Sequence, residues 1–408
     1  MVEWKDTDYG KIPLKWKYVK GTEFCNKVTD GTHDSPKQVQ SGRFLITSKH
    51  IKGRDIDFEN AYKISEEDYR KIIARSHVDQ WDVIISMIGE YCGFTYIERN
   101  RLPDYAVKNV GMFKTGSEDK AKWLHYYFNS KIGKAVLEAQ KTGTSQPYIT
   151  LGSLRQIEIL IPDNESEIKS IAEVLSSLDD KIDLLNRQNK TLEELAEILF
   201  RQWFVEEAED SWESQTIGNL FDVGIGRTPP RLEKNWFSND IKDVKWISIK
   251  DMGNCGVYIN RTAEYLTNQA ITRFSIPVIP INTLILSFKM TIGRLAITTE
   301  SMLSNEAIAH FKIKKESSFY PEFLYLFFKT FRWEQLGSTS SIVEAINSQM
   351  IKNIELSVPP TERLNEFYDV IKDFFHKLKV NQLQIQQLEN LRDTLLPKLM
   401  SGVIRVMN

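Results

Sequence analysis

The sequence predicts an α+β chain in which two homologous, mixed α/β domains are separated by two long helices forming an antiparallel coiled coil. Three observations predict it. The chain repeats itself at an interval of 196 to 201 residues: Thr142-Gly143-Thr144-Ser145-Gln146-Pro147-Tyr148-Ile149 is answered by Thr339-Ser340-Ser341-Ile342-Val343-Glu344-Ala345-Ile346. Each copy then closes on an apolar run, Ile157-Glu158-Ile159-Leu160-Ile161-Pro162 and Ile354-Glu355-Leu356-Ser357-Val358-Pro359. Each is followed by a helix in matching register, Ile168, Ile171, Leu175, Leu178, Ile182 and Leu192 answering Leu364, Phe367, Ile371, Phe374, Leu378 and Leu388. The expected divisions are 1–162 and 214–359 for the domains, and 163–213 and 360–408 for the helices. This is the plan of two heads held at a fixed distance, not of a single-pocket enzyme.

In chain order, each copy opens on a tryptophan and a turn, Ile12-Pro13-Leu14-Lys15-Trp16 in the first and Trp212 to Leu220 in the second. A turn-rich loop follows: Asp30-Gly31-Thr32-His33-Asp34-Ser35-Pro36 corresponds to Gly224-Ile225-Gly226-Arg227-Thr228-Pro229-Pro230. Gly and Pro set sharp backbone geometry there and turn polar side chains outward. Next comes a strand ending in a basic turn, Ile46-Thr47-Ser48-Lys49-His50-Ile51 against Ile247-Ser248-Ile249-Lys250-Asp251-Met252. Asp82-Val83-Ile84-Ile85-Ser86 and Thr283-Leu284-Ile285-Leu286-Ser287 are β-branched or aliphatic runs of strand type. Gly93 and Gly293 follow them, and then helices around Trp123–Phe128 and Phe323–Phe328. The most apolar stretch, Phe274 to Phe288, is interrupted by Pro277, Pro280 and Asn282, too short to span a bilayer, and reads as two buried strands.

The long helices show the three-four spacing of a coiled-coil seam at 168, 171, 175, 178, 182 and 185, resumed at Leu192, Ala196, Leu199 and Trp203. Asn189 occupies one seam position, and Asn381 and Arg392 lie in the second seam; a polar Asn there is a register device. At 1.5 Å per residue the first rod, Ser166 to Phe204, is about 58 Å long. The simplest arrangement pairs the rods with each other, antiparallel; the alternative packs each on its own domain. Trp203 and Phe204 are expected to be exposed beside the seam.

Composition bounds the partners. With 408 residues and 26% charged side chains, the chain has the make-up of an ordinary globular protein. Cys25, Cys92 and Cys255 lie far apart without a CxxC pair, which points to a reducing cytoplasm and no zinc knuckle. The start, Met1-Val2-Glu3-Trp4-Lys5-Asp6, has no apolar core of the signal-peptide kind. The overall net charge of −2 conceals a segregation. Residues 1–162 hold 25 Lys+Arg against 21 Asp+Glu, and 216–359 hold 16 against 13, whereas 163–215 hold 5 against 15. Both globular parts are mildly basic, which leaves room for a nucleic-acid face.

Several chemistries have no seat. There is no GxxxxGK[ST] phosphate loop and no Asn/Asp-Pro-Pro-aromatic tetrapeptide for methyl transfer to an adenine amino group. The six histidines form no metal set; His77-Val78-Asp79 reads as a helix-end feature. Pro103-Asp104 with Glu118-Asp119-Lys120 fits the loose pattern of metal-dependent nucleases, in which two carboxylates bind a cation. Thr115-Gly116-Ser117-Glu118 reads better as a turn and N-cap with acidic first-turn residues, and the second copy has no counterpart.

On its ordered duplicate, the chain resembles the specificity (S) subunit of type I restriction–modification systems over essentially its whole length. The most specific segments are Leu199-Phe200-Arg201-Gln202-Trp203-Phe204 and Leu391-Arg392-Asp393-Thr394-Leu395-Leu396-Pro397-Lys398-Leu399-Met400-Ser401-Gly402, both similar to family helix endings. Val358-Pro359-Pro360 fits the family's Pro-Pro start of the second helix, where Pro is well placed. The first helix departs from this with Ile161-Pro162-Asp163-Asn164-Glu165, in which Asp or Asn caps instead. The resemblance implies a non-catalytic subunit whose two target-recognition domains each read one half-site of double-stranded DNA. It also implies two modification (methyltransferase) subunits around the rods and restriction motor-nuclease subunits for cleavage. No cofactor is expected in this chain; S-adenosylmethionine, Mg²⁺ and ATP belong to those partners.

Base reading needs side chains that hydrogen-bond base edges, whereas Lys and Arg on phosphates position the protein. The candidates are Thr32, His33, Ser35, Lys49, His50, Ser145 and Gln146 in the first domain. In the second they are Arg227, Thr228, Lys250, Lys289, Arg294, Ser340 and Ser341. The two sets differ at nearly every position, so the target is expected to be asymmetric. Two other readings stay open: a coiled-coil scaffold joining two protein-binding domains, and a self-contained nuclease or methyltransferase fused to its own recognition domains.

Overall fold

The computed structural model describes residues 3–143, 146–336 and 346–406. The chain forms two compact units, Met1–Ile182 with Gln387–Asn408, and Asp183–Gln386. Their limits fall inside both long helices, Glu165–Arg201 and Thr361–Met400, so each unit contains a domain and one half of each helix. The sequence divisions follow element ends; the compact units follow packing.

In unit one the central sheet is fully antiparallel, in the order Lys27–Asp30, Val110–Lys114, Asp82–Ser86, Thr95–Ile97. The Asp82–Ser86 strand is buried along its whole length because each face has its own core. Val83 and Ile85 pack with Phe113, Trp123 and Phe128, while Ile84 joins Ile46, Val107 and Met112 on the other side. A continuous apolar run rather than an alternating one is what such a doubly covered strand requires. A three-stranded sheet, Tyr62–Ile64, Arg43–Thr47, Ala106–Lys108, flanks it. The Glu118–Asn129 helix begins where the sequence places a cap, at Ser117.

Unit two repeats the plan. Phe221–Ile225, Ile308–Ile313, Leu284–Ser287 and Leu295–Thr298 follow one another in the same order, with Tyr258–Ile259 added in parallel at the edge. Leu284 and Leu286 face Phe311, Phe323 and Phe328, and Ile285 faces Ile247, Ile279 and Ile308. The closing strands repeat too: Glu158–Ile161 pairs with Lys17–Lys20, and Glu355–Ser357 with Ser214–Thr216.

Within each unit the long helices run antiparallel and also pack on the domain. In unit one, Ile168, Ile171 and Leu175 enter the same core as Trp16 and Trp123, joined by Leu399 and Met400. Arg405 pairs with Glu167, and Arg392 donates to Asp179 at 3.0 Å, which sets the direction. In unit two, Trp203 meets Phe367 at 5.5 Å between ring centroids, and Arg363 pairs with Glu207. Here the two seam asparagines face each other, Asn381 Nδ2 donating to Asn189 Oδ1 at 2.9 Å. The choice between helix pairing and packing on the domain therefore resolves into both, because a helix has two apolar flanks to cover.

Two expectations are corrected. Phe274 to Phe288 contains one strand, Leu284–Ser287, not two; Phe274 ends the Asn268–Phe274 helix, and Ile279 makes an isolated bridge to Met302. Pro277 and Pro280 lack the N–H groups a second strand would donate. Trp203 and Phe204 are half-buried, not exposed: Phe204 lies 5.0 Å from Phe323 and 4.8 Å from Phe367. The helix-end aromatics close the second domain's core. Among the described residues no helix is long and apolar enough to cross a membrane.

Candidate nucleic-acid interface

Sheet order brings the candidate loops together. In unit one the antiparallel pairing puts the ends of Lys27–Asp30 and Asp82–Ser86 on one edge with the starts of Thr95–Ile97 and Val110–Lys114. The 31–36 loop, the 87–93 turn and Asn109 therefore emerge at that edge. The Ser48–His50 turn is bound to it: Ser48 Oγ donates to the Asn109 carbonyl and accepts from Met87 N at 3.2 Å. Asn109 has φ +56°, the left-handed conformation that Asn tolerates better than most residues. Pro147 and Tyr148 lie over the 87–93 turn, with Tyr148 bridging Ile88 and Gly89 N donating to Pro147 O at 3.0 Å.

The candidates divide by what holds them. Thr32 is buried, accepts from Asp34 N at 3.1 Å and pairs with Lys108, so it shapes the loop. His33 is exposed but anchored, its Nε2 3.0 Å from the buried Asp30 carboxylate and its Nδ1 3.2 Å from Asn109 Oδ1. Ser35 accepts from Lys108 Nζ. His50 is 1% exposed, and its Nδ1 accepts from Thr47 N at 3.0 Å. Burial, and after it the neighbouring Lys49, holds this imidazole below its ordinary pKa, so the ring is a neutral cap of its turn. Lys49 and Gln146 are exposed at this edge. Ser145 lies outside the described residues.

Unit two gathers its set in the same way, because Phe221–Ile225 and Leu284–Ser287 end where Leu295–Thr298 and Ile308–Ile313 begin. Arg227 donates to the carbonyls of Phe274 and Ser275, and Thr228 to the Glu306 carboxylate. Arg294 Nη1 donates to Ile249 O at 2.6 Å, fixing the Ile249–Gly253 helix that carries the exposed Lys250. Lys289 is exposed on the turn after Ser287. Ser340 and Ser341 lie outside the described residues. The geometry thus sorts candidates that frame the edge (Thr32, His50, Arg227, Thr228, Arg294) from candidates that project from it (Lys49, Gln146, Lys250, Lys289). Short polar side chains on such an edge can meet base edges while the projecting cations meet phosphates.

Sequence reasoning passed over Lys108, Asn109 and Arg231. Arg231 makes a two-pronged contact with Glu264, at 2.8 and 2.9 Å, with its guanidinium 4.6 Å from the Trp246 ring centroid. The Lys108-Asn109-Val110 step carries a turn signal, an Asn just before an apolar run, that could have placed the first two.

The nuclease-like residues do not converge. Asp104 is exposed and pairs with Arg43 at 2.8 Å, Glu118 pairs with Lys122 in the first turn of its helix, and Lys120 lies over Phe24. His77 Nδ1 is 2.9 Å from Asp79 Oδ1, within the turn after a helix. Among the described residues no group of three His, Cys, Asp or Glu could hold a metal ion.

Comparison with known proteins agrees with the duplicate. A family model described as the type I restriction modification DNA specificity domain matches twice, at residues 13–194 and 209–390. The type I restriction enzyme MjaIX specificity subunit of Methanocaldococcus jannaschii is 27% identical, covering 99% of this chain and 97% of that protein. The HindI specificity subunit of Haemophilus influenzae is 25% identical over 66% of this chain and 73% of its own length. The crystal structure of a type I restriction–modification S subunit from M. genitalium superposes with a TM-score of 0.61 at 15% identity, covering 94% of this chain and 96% of that one.

Proposed function

The chain belongs to the type I restriction modification DNA specificity family, and we propose that it is the subunit that reads DNA for such a complex. Each of its two sheet edges reads one half-site, and an unread spacer separates them. The observation that carries this reading is the repeated edge: one sheet order, built twice, presents two different sets of projecting side chains. Identical scaffolds with unlike loops suit a target whose halves differ.

The reading assigns no covalent step to this chain. Lys49, Lys250 and Lys289 meet phosphates and set the register on the duplex, while Gln146 and the loops held by Thr32, His33 and Arg227 present groups to base edges. Two modification subunits dock on the long helices, bring S-adenosylmethionine, and methylate an adenine in each half-site. Motor-nuclease subunits, with ATP and Mg²⁺, add restriction.

The test is modified-base sequencing of DNA from cells expressing the chain with its modification subunit, against cells lacking the chain. A split, asymmetric adenine-methylation motif that disappears without the chain is the expected result. Methylation that persists unchanged, or never appears despite a stable complex, moves the weight to a scaffold.

A further inference from the structure

Unit one contains a cavity of 710 Å³ beside its candidate edge, between the end of the Glu118–Asn129 helix, the start of the Lys131–Gln140 helix and both long helices. Five cations, Lys52, Arg54, Lys131, Lys134 and Arg392, line it against two carboxylates, Asp179 and Asp393. Those carboxylates are already engaged. Asp179 is 2% exposed and accepts from Arg54, from Arg392 at 3.0 Å and from Tyr126 Oη at 2.7 Å, and Asp393 pairs with Arg392. Lys131 and Lys134 are exposed, and among the described residues neither ammonium has a carboxylate partner. Among the described residues, the cavity thus keeps two ammonium groups, of Lys131 and Lys134, without a carboxylate partner.

Two residues of the edge, Tyr91 and Thr95, connect to it. Lys52 Nζ lies 3.8 Å from the ring centroid of Tyr91, in the 87–93 turn. Thr95, at the start of an edge strand, holds His125 at 2.9 Å and Asn129 at 3.1 Å, and both line the cavity. The second domain differs: at the end of its corresponding helix, Lys329 is neutralised by Glu193 at 2.6 Å and Glu197 at 3.8 Å.

We propose that Lys131 and Lys134 form a phosphate anchor that takes the DNA backbone alongside the first half-site, holding the strand without reading its sequence. This rests on the DNA-reading function above. A phosphodiester fits the chemistry because it is anionic at every working pH and meets ammonium groups as point charges, without a required donor geometry.

The test uses the full chain in complex with its modification subunits, and fluorescence anisotropy of a duplex carrying the methylation motif across a potassium chloride series. For the Lys131→Ala/Lys134→Ala variant, the slope of log affinity against log salt should become shallower by roughly 1.8, about 0.9 per lost phosphate contact. Affinity at 0.1 M salt should fall roughly 50-fold, and equally on a duplex with a scrambled motif. The methylation motif itself should not change, and Lys131→Arg/Lys134→Arg should retain binding. Unchanged slope and affinity, with the wild type still binding its motif, overturn the anchor and leave DNA reading intact; a wild type that binds no DNA overturns both. Loss of the modification subunit from the DNA-free variant, seen by size exclusion, makes the cavity a protein-docking surface and overturns the assignment. So does a free-anion result, in which inorganic phosphate at matched ionic strength raises the wild-type Tm alone and the salt slope is the same in both.

Discussion

The facing asparagines give two substitutions of opposite sign across one hydrogen bond. Asn381 is fully buried; its Nδ2 donates to Asn189, and its Oδ1 has no partner among the described residues. Asn189 is only half-buried. Asn381→Leu, close to isosteric, loses a bond worth about 1 kcal/mol, relieves an unpaired carbonyl costing about 1–3 kcal/mol, and adds buried apolar surface. The net is a stabilisation of about 1–3 kcal/mol, since Asn189 can turn to water. Asn189→Leu strands both ends of the buried Asn381 amide and destabilises by about 2–4 kcal/mol. With a urea slope of about 2 kcal/mol/M, the roughly 5 kcal/mol between the variants separates their unfolding midpoints by about 2.5 M. The assay is urea unfolding of the full chain, followed by hydrogen exchange of the helix amides around Asn381. Equal destabilisation by both substitutions would refute the reasoning. It would mean that the pair, not the orphaned carbonyl, dominates the local energy. The gain in stability should come with looser helix register, because an apolar seam no longer penalises slippage.

Other outcomes follow from the same geometry. Asp179→Ala leaves two half-buried guanidinium groups and the Tyr126 hydroxyl without their common acceptor, and should destabilise unit one by about 3 kcal/mol; calorimetry showing a loss under about 1 kcal/mol would contradict this. Burial pushes the fully buried His310 imidazole down to about 3, and His125 to about 4, whereas unfolded imidazoles titrate near 6.5. Both groups stay neutral in the fold, so stability is intact above about pH 6.5 and falls with acid below it, by up to about 1.4 kcal/mol per pH unit for each group. His310→Gln should flatten that acid limb in urea midpoints taken from pH 7 to pH 5. If the long helices set the distance between the two half-sites, inserting four residues in the first of them, about 6 Å, should lengthen the unread spacer by one or two base pairs at ~3.4 Å each; an unchanged spacer in the methylation motif would refute this.

Much of this protein follows from local pattern. The apolar runs at 82–86 and 284–287, the turns after them and the three-four spacing of both helices are short-range signals, legible because side-chain period follows backbone geometry. The duplicate was legible as well, since it needs only a comparison of the chain with itself. Family membership follows from the order of these segments, and no single motif carries it. The stretch from Phe274 to Phe288 misled because apolar content alone does not separate a buried strand from a buried helix end beside prolines.

Tertiary structure decided everything that depends on who faces whom. Both seam asparagines were visible in the sequence, but only antiparallel packing sets Asn189 against Asn381 and leaves one carbonyl without a donor. Arg392 was legible only as a polar residue in the second seam, and Asp179 carried no signal at all; folding brings Arg54 from a distant loop and buries the carboxylate among three donors. The candidate residues were chosen as polar loop positions, and the sheet order of each unit gathered its own described candidates at one edge while turning His50 and Thr32 inward as struts. The division has one physical cause. Periodicity and turn chemistry act over a few residues and are written locally. Burial and pairing join residues far apart in the chain, and those contacts exist only once the sheet and helices have closed.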